Sequence, residues 1–332
     1  MTSDNNVNPD FKTQMRTRQE AFGTIIYNKA QDTFALESSW PVNEILMQPL
    51  SAPLTLHWIT TLKCNARCPY CYELPSLLKK TDNEKILSPE ECARFINDYA
   101  SAGGFRLYLT GGEPTMHPFL PEIIRLGHEQ GLSSVVNTNG ITMPEDIYAS
   151  MKKYKARLSV SLDSDVADIH ETVRKQHSYD SLVALIERAA CDDIPVRVIT
   201  VLSEKNSEGM LRMGEYLQRL GAQSWFLQPL TGECASSDIE KELRGKLPGM
   251  RVRVLPAIYD SFFYLLPDGS TGRSLWNKER EIYGKVQDNP IKELWYKHPT
   301  RFVKDQTGLL RIFDMPSREY LGAETKDKQT EK

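Results

Sequence analysis

The sequence predicts an α/β protein built on a parallel sheet, and three observations support this. Apolar strand-like segments alternate with amphipathic helical segments from residue 54 to residue 230. Several helical segments open with Ser-Pro-Glu or Pro-Glu, which is typical of a helix start. Repeated strand–helix units imply parallel neighbours with right-handed crossovers, so six such units fit a partial, open, TIM-like (β/α)6 barrel.

The predicted elements follow one another in alternation. The six strands are Thr55–Thr60, Phe105–Leu109, Ser134–Asn137, Arg157–Ser161, Val196–Leu202 and Ser224–Gln228. The helical segments between them are Pro89–Ser101, Pro118–Gln130, Pro144–Tyr154, Tyr179–Cys191 and Ser207–Leu220. Functional groups of parallel barrels lie at the carboxyl ends of the strands, so we expect the motifs that follow these strands to face one another.

A small unit precedes the barrel. Residues 1–19 are polar and lack periodicity, which predicts a flexible tail. Residues 20–50 contain two predicted strands, Ala21–Tyr27 and Thr33–Leu36, and a short helix, Pro41–Met47. A unit of this size is too small to fold alone, so one interpretation is a hairpin that covers the edge or bottom of the main domain.

A less regular extension follows the barrel over residues 231–323. Residues 231–252 predict a loop with a charged helical piece. Pro267-Asp-Gly269 after the apolar run Ile258–Leu266 predicts a hairpin, and Ile291–Trp295 predicts a short helix. Residues 324–332 form a charged tail.

The composition excludes several classes of protein. The chain has 332 residues, 40% of them hydrophobic and 26% charged, which is ordinary for a globular protein. A net charge of −3 argues against nucleic acid as a partner. With no apolar run of 18 residues and no signal peptide, we expect no membrane association and a cytoplasmic location. In that compartment six cysteines predict metal ligands or core residues rather than disulfides.

The most informative motif is the segment Thr61-Leu-Lys-Cys-Asn-Ala-Arg-Cys-Pro-Tyr-Cys-Tyr72. Thiolates at positions 64, 68 and 71 can bind three irons of a [4Fe–4S] cluster and leave the fourth iron open. That iron can chelate the amine and carboxylate of a small molecule. The alternatives are a zinc site, for which His57 is nearby but no second Cys/His pair is evident, and buried inert thiols.

Two further motifs follow predicted strands. Thr110-Gly-Gly-Glu-Pro-Thr115 combines glycines that permit a close backbone approach with the carboxylate of Glu113, although a plain strand-to-helix turn is the alternative. Asn137-Thr-Asn-Gly140 places amides where a cofactor or substrate could meet them, although Asn-Gly is also a common turn pair.

The fourth strand leads into Ser159-Val-Ser-Leu-Asp163, whose alternation places residues 159, 161 and 163 on one face. The alternative role for Asp163 or Ser164 is to cap the next helix. Gln228 ends the sixth strand and is a candidate for the substrate side. Cys234 is either a substrate-side thiol or an ordinary loop residue, and Cys92 and Cys191 are predicted core residues on helical faces.

These motifs resemble those of the radical S-adenosylmethionine (radical SAM) superfamily, well over residues 54–230 and loosely over residues 258–296. The resemblance implies one [4Fe–4S] cluster on Cys64, Cys68 and Cys71, the cofactor S-adenosyl-L-methionine, and a reducing partner such as flavodoxin or ferredoxin. It also implies a set of cofactor-binding residues: Tyr70 against the adenine, Gly111, Gly112, Glu113 and Pro114 at the methionine amino group, Ser161 and Asp163 near the ribose, Arg174 near the carboxylate, and Asn139 and Asn206. For Arg174 a surface salt bridge is the alternative. No side chain stands out as a catalytic acid, base or hydrogen donor.

The flanking units resemble parts of peptide-modifying members of that superfamily. Residues 20–50 are similar to part of a winged-helix peptide-recognition element, which is the alternative to a cover. Residues 258–296 resemble the SPASM or twitch extension, in which cysteines hold auxiliary clusters, but no cysteine follows Cys234 here. A mechanism that needs a second cluster is therefore in doubt.

Three hypotheses about function remain open. The first is a maturase that crosslinks or epimerises a ribosomally synthesised peptide. The second is a radical SAM enzyme for a small-molecule cofactor or sugar precursor, which the missing auxiliary cysteines favour. The third is a non-catalytic metal-binding scaffold with a zinc site, although a scaffold does not need the Gly-Gly-Glu-Pro and Ser-Leu-Asp segments.

Overall fold

A computed structural model describes residues 14–45, 48–71, 84–230, 237–255, 263–273, 281–296, 302–304 and 310–312. Its centre is a ten-stranded sheet with the order β10-β9-β8-β7-β6-β5-β4-β11-β12-β13. The strands from β4 to β10 run parallel, which confirms the predicted partial barrel. Cys234, residues 1–13 and the tail 324–332 lie outside the described residues.

The barrel elements agree with the predicted ones to within a few residues. The strands are β4 (Thr55–Ile59), β5 (Arg106–Thr110), β6 (Ser133–Thr138), β7 (Arg157–Ser161), β8 (Val196–Leu202), β9 (Ser224–Pro229) and β10 (Arg251–Val254). A short helix α1 (Val42–Ile45) precedes them; the outer helices are α2 (Pro89–Ser101), α3 (Leu120–Glu129), α4 (Glu145–Lys153), α5 (Ala167–Arg174), α6 (Tyr179–Cys191), α7 (Met210–Arg219) and α8 (Ser237–Lys246).

Local chemistry explains several of these boundaries. Ser88 and Glu91 form a reciprocal capping box at the start of α2, and Pro89 occupies the first helical position. The buried faces of the outer helices pack on the sheet in one large apolar core. Cys92 is buried there as predicted, but Cys191, the last residue of α6, is exposed, so its predicted place in the core is wrong.

The N-terminal unit is a three-stranded antiparallel sheet of β1 (Met15–Glu20), β2 (Gly23–Asn28) and β3 (Thr33–Glu37). The predicted flexible tail is therefore wrong over residues 15–19, which pair along β2. Arginines of β1 donate hydrogen bonds to carbonyls below the barrel: Arg16 to Ala100 and Gln130, and Arg18 to Ala52 and Gly103.

This sheet covers the amino-terminal ends of the barrel strands, as the first of the two interpretations requires. Asp32, in the turn before β3, is 1% exposed and accepts a hydrogen bond from Tyr27 at 2.7 Å. It also forms ion pairs with Arg106 of β5, at 2.6 Å, and with Arg197 of β8. Arg251 of β10 donates to the carbonyl oxygen of Asp32 at 3.1 Å. The bottom of the barrel is thus closed by charged groups from distant parts of the chain.

The C-terminal extension completes the sheet. The charged helical piece is α8, but residues 251 and 252, predicted as part of a loop, begin strand β10, which runs parallel to β9. The predicted hairpin is β11 (Phe263–Leu265) with β12 (Ser270–Arg273), and β13 (Glu281–Lys285) follows. Helix α9 (Ile291–Tyr296) docks through the indole of Trp295, which donates to the carbonyl of Leu50 at 2.7 Å. A two-stranded ladder joins β14 (Phe302–Lys304) and β15 (Leu310–Ile312).

Strand β11 pairs in parallel with β4 on the side opposite β5. A small apolar cluster of Ile59, Phe226, Leu255 and Tyr264 joins β4, β9, the end of β10 and β11. Among the described residues, no helix is long and apolar enough to cross a bilayer.

Candidate active site at the carboxyl ends of the strands

The three cysteines lie on the loop that leaves the carboxyl end of β4. Cys68 is buried, while Cys64 and Cys71 are partly exposed. The backbone N–H of Ala66 donates to Cys64 Sγ at 3.4 Å, and the side-chain amide of Asn139 lies 3.9 Å from the same sulfur. Burial raises the pKa of the Cys64 thiol, but N–H donors favour the thiolate that binds metal.

The Gly-Gly-Glu-Pro segment is fastened to this cysteine loop. The N–H groups of Gly112 and Glu113 donate to the carbonyls of Thr61 and Lys63, each at 2.7 Å. A Cβ at Gly112 would stand 2.3 Å from the carbonyl oxygen of Lys63. Gly111, at φ +150°, would bring a Cβ within 2.4 Å of the carbonyl oxygen of Thr61. The two glycines are therefore needed so that the two loops can touch, in addition to any approach of a ligand.

Glu113 is a buried carboxylate, 1% exposed, at the centre of these loops. Its Oε1 accepts from the N–H and the hydroxyl of Thr115 and from the hydroxyl of Thr138, and its Oε2 accepts from the N–H of Asn139 at 2.8 Å. Burial raises the pKa of this carboxyl, and the four donors oppose that rise. Because Oε2 has one donor, it has capacity for another. Pro114 opens the 3₁₀ turn Pro114–Met116 that follows.

The Asn137–Gly140 segment contributes to both the barrel and the cysteine loop. Asn139 donates to the side-chain oxygen of Asn65 at 2.8 Å. Asn137 accepts from the hydroxyl of Ser159 at 3.0 Å. These contacts place Asn139 beside Cys64 and join the segment to the cysteine loop and to β7.

Tyr70, Asp163 and Arg174 lie together across the barrel mouth. The hydroxyl of Tyr70 donates to Asp163 Oδ2 at 2.6 Å, and Arg174 Nη1 contacts the same oxygen at 3.2 Å. Arg174 is 6% exposed, so the alternative of a surface salt bridge is wrong. Asp163 also does not cap α5, whose first residue follows Val166 without a side-chain cap. Burial raises the pKa of Tyr70, and the adjacent Asp163 carboxylate raises it further.

Asn206 lies in the loop after β8, and its side chain bonds to backbone groups of the protein. Its side-chain amide donates to the carbonyls of Asp163 and Val201, both at 2.8 Å, and its oxygen accepts from the N–H of Ser203. The residue is 3% exposed and holds the loop after β8 against the end of β7. Ser161, at that end of β7, is partly exposed toward the mouth.

Two residues of the site had no signal in the sequence. His170 on α5, a helix that was not predicted, accepts from the N–H of Asp163 at 3.1 Å. Burial lowers the pKa of His170 to about 4, so it is neutral near pH 7. The carboxylate of Glu84 accepts hydrogen bonds from the hydroxyl of Thr61 and from the N–H of Leu62, and these bonds hold the start of the cysteine loop. A short amphipathic pattern at residues 167–174 could have indicated the helix, but not the contact.

The donor set fits a cluster better than a single metal ion. Three thiols occupy one short loop, and Cys64 Sγ has N–H groups directed at it, as sulfur ligands of iron–sulfur clusters do. A structural zinc ion usually takes four protein ligands at one point. A cluster instead takes each thiolate on a different iron.

Comparison with known proteins agrees with this chemistry. The model of the Radical SAM superfamily matches residues 58–217. The chain is 32% identical over 193 residues to the AdoMet-dependent heme synthase of Methanosarcina barkeri, covering 57% of this chain and 54% of the relative. It is 28% identical over 234 residues to the mycofactocin maturase MftC of Mycobacterium tuberculosis, covering 67% and 58%. The chain thus spans little more than half the length of these curated relatives.

The fold is similar to that of a solved enzyme structure over most of its length. The crystal structure of Streptococcus suis SuiB bound to precursor peptide SuiA has a TM-score of 0.69, covers 86% of this chain and 88% of SuiB, and is 12% identical. At that identity the likeness shows the fold alone. Residues 58–217 thus carry a radical SAM domain, and this domain and the named relatives indicate an enzyme.

Proposed function

We propose that this protein is a radical SAM maturase that modifies a ribosomally synthesised peptide by forming a crosslink or epimerising a residue. One observation carries the proposal. The likeness to SuiB, solved with its precursor peptide, extends over 86% of the chain and so reaches beyond the matched domain of residues 58–217. The match to a second relative, named mycofactocin maturase MftC, covers 67% of the chain.

When bound, a [4Fe–4S] cluster and S-adenosyl-L-methionine supply a one-electron cleavage that yields a 5′-deoxyadenosyl radical able to abstract a substrate hydrogen atom. Cys64, Cys68 and Cys71 would hold the cluster. Glu113 Oε2, which accepts one donor, would accept a hydrogen bond from the cofactor ammonium. Because that carboxylate is buried and fixed by four donors, it needs little reorganisation when it receives a cation.

The tied loops would exclude water from the reacting atoms. The cysteine loop is bonded to the ends of β5, β6 and β7 through Glu113, Asn139 and Asp163 respectively. A radical site gains from such rigidity, because a reactive carbon must be held close to one C–H bond and away from solvent. An electron donor such as flavodoxin or ferredoxin is part of the proposal.

A small-molecule substrate is the second candidate. It is favoured by the 32% identity to a heme synthase, the higher of the two curated identities, and by the lack of any cysteine after Cys234. The two candidates share the cofactor chemistry and differ in what enters the barrel mouth. The zinc scaffold is not retained, because the matched family and relatives are enzymes.

Co-expression with the short peptides encoded beside the gene tests the proposal. Under anaerobic conditions, intact mass should show a defined change in one peptide, or uptake of one deuterium in heavy water for an epimerisation. The matched control is Cys68→Ala, which should leave the peptide unchanged. An unmodified peptide together with formation of 5′-deoxyadenosine would favour the small molecule. Absence of 5′-deoxyadenosine from a reconstituted, reduced protein would refute both candidates.

A further inference from the structure

Asp163 is a fully buried residue, 0% exposed, whose carboxylate is occupied by protein donors. Oδ2 accepts hydrogen bonds from the Tyr70 hydroxyl at 2.6 Å and from Arg174 Nη1 at 3.2 Å. Oδ1 accepts a hydrogen bond from the N–H of Val201 at 2.8 Å. Three of the roughly four acceptor positions of a carboxylate are therefore filled. The remaining position is on Oδ1, and the residue has no exposed surface in this structure.

The backbone of Asp163 is held as firmly as its side chain. Its N–H donates to His170 Nδ1 at 3.1 Å, and its carbonyl accepts from the Asn206 amide at 2.8 Å. The preceding residue, Leu162, accepts from the hydroxyl of Thr200. Asp163 is thus fixed to β8, to the loop after it and to α5 before any cofactor arrives.

Tyr70 reaches Asp163 from another part of the barrel. It lies between Cys68 and Cys71 on the cysteine loop, while Asp163 follows β7. Strands β5 and β6 separate β4 from β7 in the sheet, so the bond crosses the barrel mouth. The Arg174 guanidinium lies 5.9 Å from the centre of the Tyr70 ring, so the ring is also held from one side.

We propose that Asp163 is a positioning residue: it holds Tyr70, and through it the Cys68–Cys71 segment, in place across the barrel mouth, and it does not itself bind the cofactor ribose. The inference rests on the proposed radical SAM reaction and assigns Asp163 a role different from the one that family resemblance implies. Its action on the cofactor passes through the Tyr70 ring, whose hydroxyl it orients.

The test combines two substitutions with changes in the cofactor. Tyr70→Phe removes the hydroxyl and keeps the ring, and Asp163→Asn removes the charge. Reconstituted holoenzymes are titrated with S-adenosylmethionine and with its 2′-deoxy and 3′-deoxy ribose analogues, and the electron paramagnetic resonance spectrum of the reduced cluster reports binding. The rate at which an iron chelator removes the cluster is measured in the same samples.

If Asp163 acts through Tyr70, each variant weakens binding by about tenfold, as expected for loss of a hydrogen bond to a charged group. The factor is the same for all three cofactors, and the double variant is no weaker than the singles because the two residues act as one unit. Both variants also lose iron to the chelator faster, since the Cys68–Cys71 segment is less firmly held.

Tyr148→Phe is the matched control. The hydroxyl of Tyr148 donates a hydrogen bond to the carboxylate of Asp192 at 2.8 Å, on the outer helices. The substitution therefore removes the same chemical group as Tyr70→Phe, but at a place far from the barrel mouth. It should leave binding, the spectrum and the iron-release rate unchanged.

The inference is overturned if the penalty of Asp163→Asn disappears with either deoxy analogue, because Asp163 would then contact that ribose hydroxyl. It is also overturned if Tyr70→Phe changes neither binding nor iron release, and this arm decides the matter should Asp163→Asn not fold. A wild-type protein that holds a cluster but does not respond to S-adenosylmethionine would refute the proposed function. The iron-release rates would still decide the positioning role in that case.

Discussion

The two ends of the barrel each contain a buried carboxylate with a tyrosine and arginine, but the two sites have different surroundings. At the bottom, Asp32 accepts from Tyr27 and pairs with Arg106 and Arg197, both buried. At the mouth, Asp163 accepts from Tyr70, pairs with one arginine, and takes its third bond from a backbone N–H. Similar chemistry thus serves two purposes. Asp32 neutralises charge between packed units, whereas Asp163 orients the loop that carries the three cysteines.

The comparison predicts that changes at the mouth act on cofactors, and the largest such effect is expected for Cys68→Ala. Loss of one of three thiolates should abolish stable cluster binding and all formation of 5′-deoxyadenosine, while circular dichroism shows an intact fold. Iron and sulfide content after anaerobic reconstitution measure this.

Cys191→Ala is the control for that experiment, because this thiol is exposed at the end of α6 and should not affect iron content. Formation of 5′-deoxyadenosine by Cys68→Ala would contradict the assignment of the cluster to this loop.

Changes at the bottom should act on stability. Asp32→Asn keeps the size of the side chain but leaves Arg106 and Arg197 buried without their counter-charge. Breaking a buried ion pair from one side costs about 3–5 kcal/mol, and the free energy of unfolding should fall by that order. Denaturant titration measures it, with cluster content at low temperature as the second readout.

The contrast between the two ends breaks down if Asp163→Asn, which leaves a single arginine uncompensated, destabilises the fold as much as Asp32→Asn does. It also breaks down if Asp32→Asn removes the cluster from protein that is still folded.

Gly112→Ala should disturb the mouth without changing any of the three cysteines. The new Cβ would meet the Lys63 carbonyl oxygen at 2.3 Å, so the cysteine loop must move. Overpacking of this kind costs about 1–3 kcal/mol, and we expect a lower cluster occupancy after reconstitution.

Gly245→Ala on α8 is the comparison, because a Cβ there meets nothing within 4 Å and alanine favours a helix. That variant should keep its iron and gain slightly in stability. Equal iron content in the two variants would mean that the contact between the loops does not matter for the cluster.

The smallest effect concerns pH. Burial lowers the pKa of His170 to about 4 from an ordinary value near 6.5. Between these values the unfolded chain binds the proton and the folded one does not, so stability is present above pH 6.5 and is lost as pH falls toward 4. The free energy of unfolding should decrease by about 1–2 kcal/mol between pH 7 and pH 5 because of this residue.

His170→Gln should flatten that slope, as measured by denaturant titration at several pH values. Burial also lowers the pKa of His117 to about 4, and its contribution remains in both proteins, so the difference between their slopes isolates His170. Identical slopes would show that the proton does not reach His170 on unfolding in this range.

The strands that were predicted from the sequence and the strand β1 that was missed differ in the side chains that face the interior. The predicted strands carry apolar residues at the positions that pack against the helices. In the missed strand β1, by contrast, the buried side chains are the charged Arg18 and Glu20, so no apolar alternation appears. Hydrophobic periodicity cannot detect a strand whose inward face is paired charge, as in β1. Strand β10 (Arg-Val-Arg-Val) is a different case: Val252 and Val254 alternate with arginine and lie in the apolar core, but four residues give only a short pattern.

The candidate site shows the same limit. Each motif was found because it lies within a few residues, but the bond between Tyr70 and Asp163 joins positions 93 residues apart. The pattern of residues therefore predicted which groups gather at the mouth, and the fold was needed to show that Tyr70, Asp163 and Arg174 bind one another. The partners of Asn206 were also not predictable from the sequence, since they are carbonyls at the ends of β7 and β8.

The contacts around Asp32 also bear on the order in which the chain folds as it is made. Arg251, which donates to the carbonyl of Asp32, lies 219 residues further along the chain. At typical rates of about 5–20 residues per second, a ribosome needs roughly 10–40 s to synthesise that interval. Arg106 is made early, but the contacts of Asp32 are complete only when Arg197 and Arg251 have also been made. Docking of the N-terminal sheet is expected to be among the last steps of folding, and a nascent chain is exposed to chaperones and proteases until that step is complete.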